Sequence, residues 1–117
     1  MWHLKTSPFF DGKLKRINKN HPAETKAMLE NLDKYLKALN EGANPINISA
    51  GWIHNEPEGI KALDQKGTKG QPAQTRLYIF PQESIKRLHV ITVGDKNTQK
   101  TDIQDSRDYI RPLKEKK

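Results

Sequence analysis

The four histidines of this sequence, His3, His21, His54 and His89, are its natural candidates for proton transfer, because imidazole titrates near neutrality without help from its surroundings. They stand far apart and show no metal-ligand spacing. The chain also has no cysteine, so neither a protein-held metal nor thiolate chemistry is expected. Gly67-x-x-Gly70 lacks the Lys-Ser/Thr ending and the following helix of a phosphate-binding loop, and no local signature joins a serine to a histidine and an acid. What the chain does concentrate is cations. Residues 61–100 carry eight basic side chains (Lys61, Lys66, Lys69, Arg76, Lys86, Arg87, Lys96 and Lys100) against three acids (Asp64, Glu83 and Asp95). Fixed Arg and Lys groups stabilise the negative charge that grows on a phosphoryl group as it reacts. Placed on adjacent strands, about 5 Å apart, Arg76, Lys96, Lys61, Lys66 and Lys69 would form such a patch. The same residues also read as ordinary surface, with Arg76 paired to an acid such as Glu83 and the lysines solvating loops. Spacing alone leaves both readings open.

The elements that would position these residues follow from periodicity. Trp-His-Leu-Lys-Thr at 2–6 alternates apolar and polar residues, as a short strand does. Ser7-Pro8 predicts a helix start, with Ser7 as N-cap and Pro8 at the first helical position, and Phe10, Leu14 and Ile17 form its apolar face. After Asn20-His21-Pro22, the residues Met28, Leu32, Tyr35, Leu36 and Leu39 form the stripe of a second amphipathic helix, closed by Gly42. Residues 42–58 have no clean period and are expected to be loop, so His54 is placed in a loop. Strands are expected at Ile60–Gln65, Thr75–Phe80 and Leu88–Val93, with a basic glycine-rich turn at 66–72 and a hairpin loop at Pro81–Ile85. The spacing Thr101-x-x-Gln104 predicts a capping box for a short last helix that Pro112 stops. The expectation is an α+β domain over residues 1–113: an N-terminal helical hairpin packed on a small, mainly antiparallel sheet of three to four strands, a short C-terminal helix, and a charged tail at 114–117.

A chain of 117 residues is sized for one domain with one modest core. It has no apolar run near 18 residues and no basic-then-apolar opening, so neither a membrane span nor a signal peptide is expected. With Lys plus Arg at 21 and Asp plus Glu at 14, the net charge is +7, which points to a polyanionic partner.

Several segments, taken in order, resemble the RelE/ParE toxin superfamily, and its HigB-like branch in particular. Leu4-Lys5-Thr6-Ser7-Pro8-Phe9-Phe10 followed by Leu14-Lys15-Arg16-Ile17 resembles the short strand and basic helix that open those toxins. Gly59-Ile60-Lys61-Ala62-Leu63-Asp64 resembles their second strand, with Ala62-Leu63-Asp64 where Glu-Leu-Arg is usual. Arg76-Leu77-Tyr78-Ile79-Phe80 and Leu88-His89-Val90-Ile91-Thr92-Val93-Gly94-Asp95-Lys96 resemble the next two strands, and Thr98-Gln99-Lys100-Thr101-Asp102-Ile103 resembles the lead into the last helix. The resemblance implies a RelE-like fold and a type II toxin that cuts mRNA on the ribosome. It also implies a cognate antitoxin as partner, a cytoplasmic location, and no cofactor, metal or membrane. Arg76 would stabilise phosphoryl charge, Lys96 would be a second phosphate contact or acid, and Lys66 or His54 would accept the 2′-hydroxyl proton. Lys61, Lys69, Lys100 and Gln99 would contact the RNA. No tyrosine closely follows Lys96, the nearest being Tyr109. That departure favours a second reading, a non-catalytic module that inhibits gyrase as ParE-type toxins do, or one that only binds RNA or antitoxin. The Thr98–Thr101 run opposes it.

Overall fold

The computed structural model describes residues 1–65 and 75–115. Lys66 and Lys69, two of the expected site residues, lie outside them, as does the basic turn at 66–72. The described chain runs β1 (His3–Thr6), α1 (Phe10–Asn20), α2 (Pro22–Asn40), β2 (Ile53–Asn55), β3 (Lys61–Asp64), β4 (Thr75–Gln82), β5 (Arg87–Asp95) and α3 (Gln99–Glu115). The α+β class and the N-terminal helical hairpin are as the periodicity predicts. Among the described residues the sheet has five strands, in the order β1-β5-β4-β3-β2. The strand beyond the expected three to four is β2. It lies inside the stretch read as loop, where Pro57–Gly59 forms a tight turn with Glu58 (φ 63°) and Gly59 (φ 86°) in the left-handed region. That turn folds 53–55 back antiparallel onto 61–63. β1 pairs parallel with the start of β5, and the remaining neighbours are antiparallel.

The two faces of the sheet are buried differently. On one, Phe10 and Ile17 of α1 and Met28, Leu32, Tyr35 and Leu39 of α2 pack on Leu63, Leu77, Ile79, Leu88, Val90 and Val93. On the other, Ile110 of α3, with Ile103 and Leu113 beside it, packs on Ile60, Ala62, Tyr78 and Ile91. β5 serves both cores, and it carries a bulge that lets Val90 and Val93, three residues apart, join the same one. Tyr78 faces Thr92 and Ile79 faces Val90, so Ile91 has no partner on β4. The carbonyl of Ile91 accepts the Ser7 hydroxyl, and that of Val90 accepts the Ser7 N–H at 2.9 Å. Ser7 therefore does not cap α1. Phe9 stands at the N-cap without a side-chain bond, and α1 starts at Phe10.

The last helix is longer than expected and begins earlier. The capping box is Asp95 with Thr98, around the short turn Lys96–Thr98, so Thr101 already lies within the helix. Pro112 does not stop α3, which continues to Glu115 through the first residues of the expected tail. Pro112 takes one hydrogen bond from the last turn, but Leu113 packs in the second core and Lys114 Nζ donates to the Glu58 carbonyl at 2.7 Å. Arg107 Nε adds a 2.6 Å pair with Glu58, and this hydrogen bond holds the Glu58 carboxyl below the usual range.

Candidate active site

The chemistry-bearing residues gather at one end of the sheet, where β3 ends, β4 begins and β5 ends. His54 on β2 faces Ala62 in register, and Asp64 faces Arg76 across β3 and β4. Ala62 and Tyr78 belong to the core beneath α3. Side chains alternate along a strand, so Asp64 and Arg76, two residues further on, share that face with His54.

His54 Nε2 stands 2.6 Å from Asp64 Oδ2. The Asp64 side chain is fully buried and that of His54 is 28% exposed. This leaves the imidazole reachable from outside while its partner is locked from within. The main chain at Asp64 is held on two sides, with its N–H donating to the Trp52 carbonyl at 2.9 Å and its carbonyl accepting from Asn31 Nδ2 at 2.8 Å. Next to it, Gln65 Oε1 accepts from both the N–H and the hydroxyl of Thr75, each at 3.2 Å, which ties the end of β3 to the start of β4. A half-buried Arg76 Nη1 reaches Glu56 Oε2 at 3.8 Å. The acid that meets Arg76 is thus Glu56, in the turn after β2. Glu83, the acid that spacing alone suggested, sits in the turn Glu83–Ile85 at the far end of β4.

The other expected site residues are distributed differently. Lys61 faces Ile79, a member of the helical-hairpin core, so its side chain leaves the sheet on the face opposite Arg76 and donates to Asn55 Oδ1. Lys96 is exposed just past β5, two residues beyond Gly94, the register partner of Arg76. Gln99, half-buried, and Lys100, exposed, form the first turn of α3 beside it. The structure therefore brings His54 and Arg76 to one end of one sheet face, sets Lys96, Gln99 and Lys100 at that same end, and separates Lys61 from them.

Asp64 and Glu56 are what sequence reasoning did not find in this site. Their signal was the Pro57-Glu58-Gly59 turn: read as a hairpin, it pairs 53–55 with 61–63 and brings Asp64 beside His54. His54 accordingly lies on a strand, and its expected place in a loop is corrected by that turn.

Where α3 crosses β5 the packing is tight. A Cβ on Gly94 would collide with Asp102 Oδ2 and Thr98 Oγ1. Asp102 is buried, accepts from Thr98 Oγ1 at 2.7 Å, and has Lys13 Nζ 3.9 Å from its other oxygen; burial pushes its carboxyl above the usual range. His89, buried on β5, accepts from the Tyr109 hydroxyl at Nδ1 (3.2 Å) and donates from Nε2 to Gln82 Oε1 (2.8 Å). Burial, then the nearby Arg87 and Lys5, push it down to about 4, so it is a packed, neutral imidazole. No group of three or more His, Asp or Glu side chains among the described residues is placed to hold a metal ion. Nor is any described helix long and apolar enough to cross a membrane.

No family model matches the sequence, and no curated protein matches it. Solved structures do match the fold. One is the crystal structure of YafQ from E. coli strain BL21(DE3), with a TM-score of 0.54 and 14% identity over 85% of this chain and 98% of that one. Another is a metal-bound toxin from Helicobacter pylori, with a TM-score of 0.53 and 20% identity over 83% of this chain and 97% of that one. At such identities the likeness speaks of architecture, and with the helical hairpin on one face of a five-stranded mixed sheet and a C-terminal helix on the other, this chain has the RelE-like fold.

Proposed function

We propose that the protein is the toxin of a toxin–antitoxin pair and acts in the cytoplasm as a ribosome-associated, metal-independent mRNA endoribonuclease. The observation that carries this reading is the 2.6 Å contact between a partly exposed His54 and a fully buried Asp64, with Arg76 on the neighbouring strand of the same face. A carboxylate that holds an imidazole by one nitrogen fixes its tautomer and orientation, which is what a general base needs. The toxin named among the fold matches supports the toxin part of this reading.

In this mechanism His54 removes the proton of a ribose 2′-hydroxyl, and the oxygen attacks the adjacent phosphorus. Arg76 leaves Glu56 to neutralise the equatorial oxygens as charge grows on them. The 3.8 Å pair with Glu56 is long enough for a phosphate to displace. Lys96 serves as the second phosphate contact or protonates the departing 5′-oxygen, giving a 2′,3′-cyclic phosphate and a 5′-hydroxyl. The nucleophile belongs to the substrate, so the step needs positioning and charge, and the ribosome would supply the in-line geometry. Mapping the ends left in cellular mRNA after induced expression is the test. Cuts within translated frames are expected, and growth arrest without them would favour a gyrase inhibitor or other binding module.

A further inference from the structure

A second feature lies on the β5 side of the molecule, away from His54. A cleft of about 480 Å3 opens between the start of α1 and the middle of α3, lined by Phe9, Lys13, Asp105, Asp108 and Tyr109. Phe9 is 38% exposed and meets the Tyr109 ring edge to face, with centroids 6.4 Å apart. Tyr109 is fixed from behind, its hydroxyl on His89 and its ring 5.6 Å from the imidazole. Of the two carboxylates on the α3 wall, Asp108 is already occupied by Gln104 Nε2 (3.0 Å) and Arg111 Nη2 (3.2 Å). Asp105 forms no hydrogen bond or ion pair with a described residue. Lys13 stands at the rim, 3.9 Å from Asp102.

We infer that this cleft is a subsite for one unpaired guanine of the RNA. The inference rests on the ribonuclease reading, and it adds which base is read and where. Single-stranded bases bind proteins by stacking on exposed aromatic faces, which Phe9 supplies. A carboxylate has two oxygens that only accept. Guanine offers two parallel donors, N1–H and the 2-amino group, that match them. Uracil offers one N–H flanked by carbonyls that a carboxylate repels, and adenine and cytosine set an acceptor nitrogen beside their amino group. Lys13 meets the phosphate of the same nucleotide. The cleft lies over His89, five residues along β5 from Gly94, so roughly 17 Å at strand spacing separates it from the strand position facing Arg76. The base it reads therefore lies some nucleotides away from the bond that is cut.

The test is binding without cleavage, using full-length protein carrying His54→Ala and labelled uridine dodecamers with one central guanosine, inosine or adenosine, read by fluorescence anisotropy. The guanosine oligomer should bind about tenfold tighter than the adenosine one, as a bidentate base contact does, with inosine, which lacks the 2-amino group, between them. Asp105→Asn should erase the preference while leaving affinity for the all-uridine oligomer within about twofold. Phe9→Ala should weaken all four oligomers, because stacking is blind to base identity. Equal affinity for every oligomer, no binding at all, or a guanosine preference that survives Asp105→Asn would overturn the subsite. Cleavage is scored separately. A protein that prefers guanosine but cuts no mRNA keeps the subsite and loses the ribonuclease reading, and one that cuts without preference does the reverse.

Discussion

At the scale of single residues, His54, Asp64 and Arg76 make separate predictions. Removing a general base costs roughly 10²–10⁴-fold in rate, so His54→Ala should cut cleavage by that order. It also takes a 2.6 Å partner from the fully buried Asp64 carboxylate, so the melting temperature should fall as well. Arg76→Ala should abolish growth arrest with the fold intact, since Arg76 is only half buried and its ion pair with Glu56 is long. A lowered melting temperature alongside lost toxicity would mark it as structural. Asp64→Asn should cost both, because it breaks a contact with a fully buried carboxylate. His89 governs a different property. Its folded pKa of about 4 lies below the ordinary histidine value, so the stability it contributes is complete above about pH 6.5 and is lost as pH falls towards 4. Asp102, raised by burial, acts in the opposite sense and recovers stability only as pH enters the carboxylate range. The melting temperature should therefore be lower at pH 5 than at pH 7, and His89→Gln should shrink that difference; an unchanged difference would show that His89 is not its source.

At the scale of elements, the junction of β5 with α3 is the most constrained. Gly94 is required for close approach: its φ is unexceptional, yet a Cβ there meets Asp102 and Thr98. Gly94→Ala should destabilise by about 1–3 kcal/mol, as overpacking does, measured by chemical denaturation. The elements also show what could be read in advance. The α2 stripe was legible because it buries one periodic set of side chains, the strands at 75–80 and 88–93 because they are nearly unbroken apolar and β-branched runs buried on both faces, and Arg76 as a cation in an apolar strand. What was not legible depended on distant partners. Ser7 looked like a cap, but its hydroxyl goes to Ile91, 84 residues away. Thr101-x-x-Gln104 looked like a capping box, but Asp95 and Thr98 start the helix first. Pro112 looked like a stop, but contacts through Leu113 and Lys114 carry the helix past it. The His54–Asp64 pair needed β2, a strand of three residues too short to show a period.

At the scale of the whole molecule, the charge of +7 and the one-ended clustering of His54, Arg76 and Lys96 set the terms of association. An acidic antitoxin segment lying over residues 61–100 should bind with an association rate that falls as salt rises. Binding confined to α2 would contradict this account of neutralisation. In the proposed function, the polyanion meets the end of the sheet that carries His54 and Arg76, between the helices packed on its two faces. Whether His54, held by Asp64, cuts mRNA beside Arg76 is decided by sequencing 5′-hydroxyl ends from cells expressing the parent chain or His54→Ala at equal levels. The parent should give abundant new 5′-hydroxyl ends within translated frames, and the variant almost none. Equal ends from both proteins, or none from either while growth still stops, would contradict this mechanism.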